Sequence, residues 1–342
     1  MSERRGLIAA GNWVVDHVKI IDVWPEQDAL ANILEQSSGN GGCAYSLLVD
    51  LARLGAPFPL HGVGLIGNDA EGDRILSHCS SLGIDTSGLL RHERAPTSFT
   101  DVMTVKPTAR RTFFHQRGAN ALLGPEHIQL QGRTEGHFHL GYLLLLDRLD
   151  QPDLDYGTAA ARVLAEAKKA GLRTSVDVVS EDSRRFADIV LPALPHVDLC
   201  LMNEFEAERC TSVPVRSHGA VTERGLAEAC QVLLDHGVQE WAIIHFPEGA
   251  FALSRSGERL FQGSVKIPAS LLVGAVGAGD AFAAGVLYGS HEDAPMQECL
   301  RFGACAAAAS LTHASASEGL MILSDCCALG DRYGFRHELP SA

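Results

Sequence analysis

The residues most able to do chemistry lie between Val273 and Gly289, where the chain reads V-G-A-V-G-A-G-D-A-F-A-A-G-V-L-Y-G. Gly277, Ala278 and Gly279 are small enough for a ligand to approach the backbone closely. An apolar helical pattern follows them, so free N–H groups at its start would face that ligand. Such a turn suits negative charge that builds up on a phosphoryl group during transfer. Asp280, in the first helical turn, could accept a proton from an attacking hydroxyl. The bland alternative is a glycine turn in which Asp280 merely stabilises the helix N-terminus by ~0.3–1 kcal/mol.

Other chemical signals are weaker. Gly62-Val63-Gly64-Leu65-Ile66-Gly67 spells G-x-G-x-x-G between a strand-like and a helix-like segment. A dinucleotide site would also require an acidic residue ending a second strand about 20 positions on. Asp85 stands near that distance, but it follows a helix and Gly83, so packing explains the glycines better. No G-x-x-x-x-G-K-[ST] phosphate loop is present. His137 and His139 share one face of a short strand, with no third metal ligand evident from the sequence. Phe99, Phe113 and Phe114 fit sheet packing as well as substrate stacking. Arg110 and Arg111 fit a solvated turn, or a contact to an anionic substrate. The nine cysteines show no C-x-x-C spacing and read as buried small hydrophobes of a reducing compartment; the adjacent Cys326 and Cys327 could bond only with strain.

The elements that must position these residues follow from periodicity. Leu7–Ala10, Leu60–Ile66, Arg173–Val178, Leu199–Met202 and Trp241–His245 read as strands. Cys43–Leu54, Tyr156–Ala170, Glu204–Cys210, Gly225–His236, Gly279–Leu287 and Pro295–Leu311 read as helices, and another starts at Asp69. Alternating strands and helices predict a mostly parallel sheet covered on both faces, an α/β three-layer sandwich. Strand-like segments within 12–36 and 88–116 lack helices of their own and predict a small β lid beside the main sheet. Ligands of such folds bind beyond the carboxyl ends of the strands.

Composition narrows the function. The 342 residues are 46% hydrophobic with a net charge of −14, and the 28 Lys and Arg form no basic block. Nucleic acid and anionic membrane are therefore excluded as expected partners. Around Arg4 and Arg5 no signal-like apolar run follows, and no stretch reaches membrane-spanning length, so a cytoplasmic location is expected.

In its motifs the chain resembles the PfkB, or ribokinase-like, family of carbohydrate kinases. Gly277-Ala278-Gly279-Asp280 matches the second half of the family's C-terminal signature. Gly41-Gly42-Cys43-Ala44 through Leu51-Ala52-Arg53-Leu54-Gly55 matches the N-terminal one. Asp16 matches the substrate-binding aspartate, Asn203 and Glu206 the N-x-x-E element, and Gly118-Ala119-Asn120 a segment after the lid strands. These matches run from residue 7 to about residue 320 in family order.

The resemblance implies one ribokinase-like domain over residues 1–342 and transfer of the γ-phosphoryl of ATP to a hydroxyl of a sugar, sugar acid or nucleoside. Asp280 would be the base, with Gly277, Ala278 and Gly279 holding the migrating charge. Asp16, Gly41 and Gly42, with Asn12 and Ser46, would bind the acceptor. Asn203, Glu206, Gly249, Gly277 and Gly279 would serve ATP, with Glu206 reaching Mg²⁺ through water. Separately, the edges of a lid sheet could pair between subunits, so a homodimer through the lid is the expected protein partner. The chain also departs from the pattern. Gly274-Ala275 replaces the family's Asp-Thr, so no monovalent cation is expected there. Ser46 stands for an Asn, the usual Asp-x-Asn between Asp177 and Ser183 is missing, and only the second glycine of the nucleotide-side turn survives, at Gly249. A non-catalytic ligand-binding protein on the same fold is the rival reading, and a dehydrogenase using the Gly62 run is a more distant one.

Overall fold

The computed structural model describes residues 5–108, 110–181, 183–217 and 219–337. The expectation for the first residues, Arg4 among them, lies outside these. The chain opens with strand β1 (Leu7–Gly11), then β2 (Val14–Ile21), β3 (Ile33–Gly41), helix α1 (Cys43–Arg53), β4 (Leu60–Gly67), α2 (Ala70–Ser81) and β5 (Asp85–His92). Strands β6 (Ser98–Val105), β7 (Arg111–Gln116) and β8 (His137–Leu143) follow, then α3 (Ala159–Lys169), β9 (Arg173–Val178), α4 (Phe186–Val190), β10 (Leu199–Asn203) and α5 (Glu204–Thr211). The last third holds α6 (Glu223–Asp235), β11 (Trp241–Phe246), β12 (Gly249–Ser254), β13 (Arg259–Gly263), α7 (Ala278–His291), α8 (Met296–Ser310) and α9 (Leu323–Tyr333).

Nine strands form the main sheet in the order β13-β12-β11-β10-β9-β8-β1-β4-β5. From β5 to β11 all neighbours are parallel, and β12 and β13 add an antiparallel edge. Successive residues of a strand point to opposite faces, so β1 feeds two cores. Ile8 and Ala10 pack with residues of α3 and α6, and Leu7 and Ala9 with residues of α1, α7 and α8. This is the three-layer sandwich. Strand β1 has β4 on one side and β8 on the other, which makes the crevice past their carboxyl ends a topological switch point.

The lid is a second sheet, β3-β2-β6-β7. Its borders differ from expectation in two ways. Strand β3 runs on to Gly41, and the strand around Leu89–His92 belongs to the main sheet as its parallel edge, β5. A β4–α2–β5 crossover returns that strand beside β4, and its polar pattern reflects an edge position, not a lid. Among the described residues no helix is long and apolar enough to cross a membrane.

Candidate functional site

At the carboxyl ends of the parallel strands lies a cavity of about 530 Å³. The lid closes one wall with Val14, Asp16, Thr100, Arg111, Phe113 and His115. The strand ends supply Tyr142, Asp177, Asn203 and His245, and the start of α7 supplies Gly277, Gly279 and Asp280. A second cavity of about 380 Å³ adjoins it, sharing His245, Ala275 and Gly279 and continuing past Phe246, Gly249, Phe282 and Leu311. A larger hollow of about 680 Å³ lies along α6, lined by that helix and Arg259 instead of strand ends.

The two glycine signatures have geometric causes. Gly277 caps α7 with φ 75°, and a Cβ there would come within 2.7 Å of Ala316. Gly42 sits at φ 79° before α1, and a Cβ on Gly41 would lie 2.5 Å from the Asp16 carboxylate. The glycine pair thus lets the loop lie directly against Asp16. Lifted out of bulk water by these walls, Asp16 has its pKa pushed up to about 7, against a lowering hydrogen bond from Thr100.

Asp280 sits on the floor, and the Tyr142 hydroxyl donates to its Oδ1 at 2.6 Å. Burial, then the nearby Asp177 charge, raises the Asp280 pKa to about 7; the Tyr142 bond acts the other way. Tyr142 itself is pushed well above its ordinary value, first by burial and then by Asp280, so it remains a donor. His245 is driven down to about 4 by burial, so its imidazole is neutral.

The N-x-x-E element is physically a capping box. Asn203 Oδ1 accepts from the Glu206 N–H at 2.9 Å, and Glu206 Oε2 accepts from the Asn203 N–H at 2.8 Å. Ser180 donates to Glu206 Oε1 at 2.8 Å and accepts from Asn203 Nδ2 at 2.8 Å. Glu206 is only 5% exposed, and burial lifts its pKa to about 8. Hard oxygen donors from Glu206, Asn203 and Asp280 line the cavity, the donor set that Mg²⁺ accepts through its waters.

One sequence expectation changes. Asn12 is fully buried: it accepts from the Tyr142 N–H at 2.6 Å and donates to the Leu145 carbonyl at 3.2 Å. Both functional ends are spent on backbone, so it latches the end of β1 to the chain within and just after β8, and it is not among the residues lining the cavity. Ser46 does line the cavity, while accepting from Asn40 Nδ2 at 3.2 Å. Gly249 belongs to the second cavity only. The Gly62 run has a packing explanation, because a Cβ at Gly62 or Gly64 would come within 2.6 or 2.3 Å of the Trp13 ring. Asn120 clamps the same Trp13 backbone, accepting from its N–H and donating to its carbonyl, each at 3.2 Å.

Sequence reasoning passed over Tyr142, Thr100, His115 and the role of Asp177. His139 does find partners: Cys43 Sγ lies 3.0 Å from its Nε2 and donates to Asp177 Oδ2 at 3.1 Å, and Ser175 sits 2.9 Å from its Nδ1. Cys43, His139 and Asp177 are the only three potential metal-ligating side chains so gathered among the described residues, and here Cys43 hydrogen-bonds with each of the other two. His137 instead stands beside His291, with ring centroids 5.1 Å apart. All nine cysteines are free and buried.

A doubly wound sheet with a β lid over its switch point, and an aspartate in the first turn of a glycine-led helix beneath it, define a ribokinase-like fold. The model of the pfkB family of carbohydrate kinases matches residues 9–322, and the chain belongs to that family. A 5-dehydro-2-deoxygluconokinase of Shouchella clausii is 23% identical over 299 residues, covering 84% of this chain and 85% of its own. A ribokinase of Haemophilus influenzae is 24% identical over 322 residues, covering 93% and 95%. The structure of Arabidopsis thaliana ribokinase complexed with ribose and ATP superposes with a TM-score of 0.78 at 22% identity, covering 95% of this chain and 98% of that one. Kinase chemistry with ATP, on the sugar and nucleoside scale, goes with the membership.

Proposed function

We propose that this protein transfers the γ-phosphoryl of ATP to a primary hydroxyl of a sugar, sugar acid or nucleoside, with Asp280 as the base. The observation that carries the reading is the Asp280 carboxylate, held by Tyr142 at 2.6 Å in the same cavity as Asp16 and next in sequence to Gly279, which both cavities share. The acceptor O–H gives its proton to Asp280, and its oxygen attacks the γ-phosphorus. The bond to the β–γ bridging oxygen breaks as ADP leaves, while the Gly277–Gly279 N–H groups face the migrating charge. A pKa of about 7 suits this base, because it is ionised near neutral pH yet still basic.

Asp16, beside Gly41 and Gly42, orients the acceptor hydroxyls, and Ser46 supports that wall. ATP extends into the second cavity past Gly249, with its phosphates toward Gly277 and Gly279. Mg²⁺ bound with ATP would neutralise phosphate charge, and Asn203 and Glu206 would hold its waters. The lid excludes water that would otherwise hydrolyse ATP. Gly274-Ala275 offers no side-chain oxygen, and the N–H groups of Val273 and Gly274 donate to the Leu311 carbonyl at 2.9 and 3.4 Å, which supports a turn that works without a monovalent cation. The outer lid exposes Val23, Trp24, Leu30, Ile33, Leu34 and Phe114, which supports pairing of two copies through the lid of a one-domain chain.

The test is ADP release against a panel of sugars, sugar acids and nucleosides with MgATP. Acceptor-dependent ADP release is expected for one chemical class. ATP binding with no acceptor-stimulated turnover across the panel would instead favour a non-catalytic binding protein.

A further inference from the structure

We propose that the acceptor carries a carboxylate and that Arg111 on the lid binds it; this rests on the kinase reading above and narrows its substrate class. Strand β7 alternates, so Arg111, Phe113 and His115 all turn toward the cavity, while Thr112 and Phe114 turn away. The other lid cations are spoken for: Lys19 pairs with Asp101 and Lys106 with Glu35. Arg110 is exposed to solvent. Arg111 is half-buried, and among the described residues its guanidinium has neither an ion pair nor a hydrogen bond. Its partial burial, which lowers the guanidinium pKa, disfavours the unpaired charge, and a ligand anion in the cavity would compensate it.

The remaining charges say which ligand. Asp16, Asp177, Glu206 and Asp280 line the same cavity, and Arg111 is its only Lys or Arg among the described residues. His115 cannot substitute as a cation, since burial, and then Arg117, lower its pKa. It can still bond a ligand: its Nδ1 lies 3.0 Å from Thr100 Oγ1, and its Nε2 is buried without a partner. One rigid fork, four residues along the strand from a neutral imidazole, matches one planar monoanion bound bidentately by the fork itself. A phosphate dianion would set two charges against a single cation among four acidic groups. The acceptor is therefore a polyhydroxy acid, its carboxylate on the lid at Arg111 and its hydroxyl end at Asp16 and Asp280.

Matched pairs test this on the full-length protein: D-gluconate against D-glucose, and D-ribonate against D-ribose, by ADP release with MgATP. Calorimetric binding of D-gluconate beside a non-hydrolysable ATP analogue provides a readout without turnover. Each acid is expected to exceed its neutral partner in kcat/KM or affinity by at least about 10-fold, the scale of one charge-assisted pair. Arg111→Met should remove that preference, Arg111→Lys should retain part of it, and neither should change the KM for ATP; the thermal midpoint of each variant verifies folding. A wild type that prefers the neutral sugar, or a ribose 5-phosphate control bound more tightly than either acid, would overturn the carboxylate assignment and leave the kinase reading standing. So would an Arg111→Met defect that appears in the KM for ATP. If no acceptor is phosphorylated, the kinase reading fails, and calorimetry still decides the subsite: D-gluconate binding lost in Arg111→Met supports it, and no binding to wild type refutes it.

Discussion

Replacing Tyr142 by Phe removes one hydroxyl and no bulk, so it isolates the bond donated to Asp280 at 2.6 Å. A hydrogen bond to a charged group contributes about 1.5–3 kcal/mol, and one pKa unit corresponds to about 1.36 kcal/mol. The upper bound on the effect is thus a rise of about two units; the cavity admits water, so about one unit is expected. The sign follows from which form the bond favours. Tyr142 donates to the carboxylate, so losing it disfavours the ionised base and moves its pKa upward from about 7. The base works ionised, so the acid limb of kcat/KM should move from about pH 7 to about pH 8. At pH 7 this is a loss of about five-fold, vanishing above roughly pH 9. The assay is a pH profile of acceptor kcat/KM at saturating MgATP for both proteins. A limb that stays put, or a defect of equal size at every pH, would refute this account of Tyr142.

Asp16→Ala should weaken acceptor binding by about 10- to 150-fold, the scale of charge-assisted bonds, and leave the ATP dissociation constant alone; calorimetry with each ligand checks it, and a defect confined to ATP would place Asp16 on the wrong side of the cleft. Activity should be nearly equal in K⁺, Na⁺ and tetramethylammonium buffers of matched ionic strength; a several-fold stimulation specific to K⁺ would contradict an ion-free turn at Gly274-Ala275. Asp50 is fully buried in α1, neither of its carboxylate oxygens has a hydrogen-bond partner among the described residues, and burial holds its pKa well above the ordinary 3.8. The folded state therefore favours its protonated form, and stability present below pH 3.8 is lost as pH rises toward the shifted value. Asp50→Asn should then raise the thermal midpoint at pH 8, with the gain fading toward pH 4; a lower midpoint at pH 8 would contradict this.

Much of the fold was readable because its signals are local. The helix at Cys43 stops at a glycine, α7 follows a glycine turn, and Asn203 and Glu206 stand at capping-box spacing, so each announces itself within a few residues. Strand β5 was misplaced because an exposed edge and a lid strand share the same polar pattern; only its pairing with β4 separates them. The hairpin partners β12 and β13 were missed because Gly249–Ser254 is buried throughout and lacks alternation. In the site, the resemblance grouped Asp16 with Gly41 and Gly42 as acceptor-binding residues, and the structure gives a steric reason for the glycine at 41. Tyr142 and Asp177 escaped notice because each ends a different strand, and only parallel register brings those ends to Asp280. Asn12 enters as a ligand only through the resemblance, yet its amide is consumed by the backbone of Tyr142 and Leu145.

The central claim is that Asp280 takes the acceptor proton, and the most direct measurement pairs the turnover and ATP affinity of Asp280→Asn with those of the parent. The amide keeps the shape and can still meet Tyr142, but it cannot serve as the base. Turnover with the best acceptor should fall by at least about 10²-fold, the scale of one acid–base contribution. The ATP dissociation constant should be nearly unchanged, since in the proposed mechanism the phosphates would rest mainly on backbone N–H groups around Gly277 and Gly279. An Asp280→Asn protein that binds ATP normally and turns over at a near-parental rate would contradict the account.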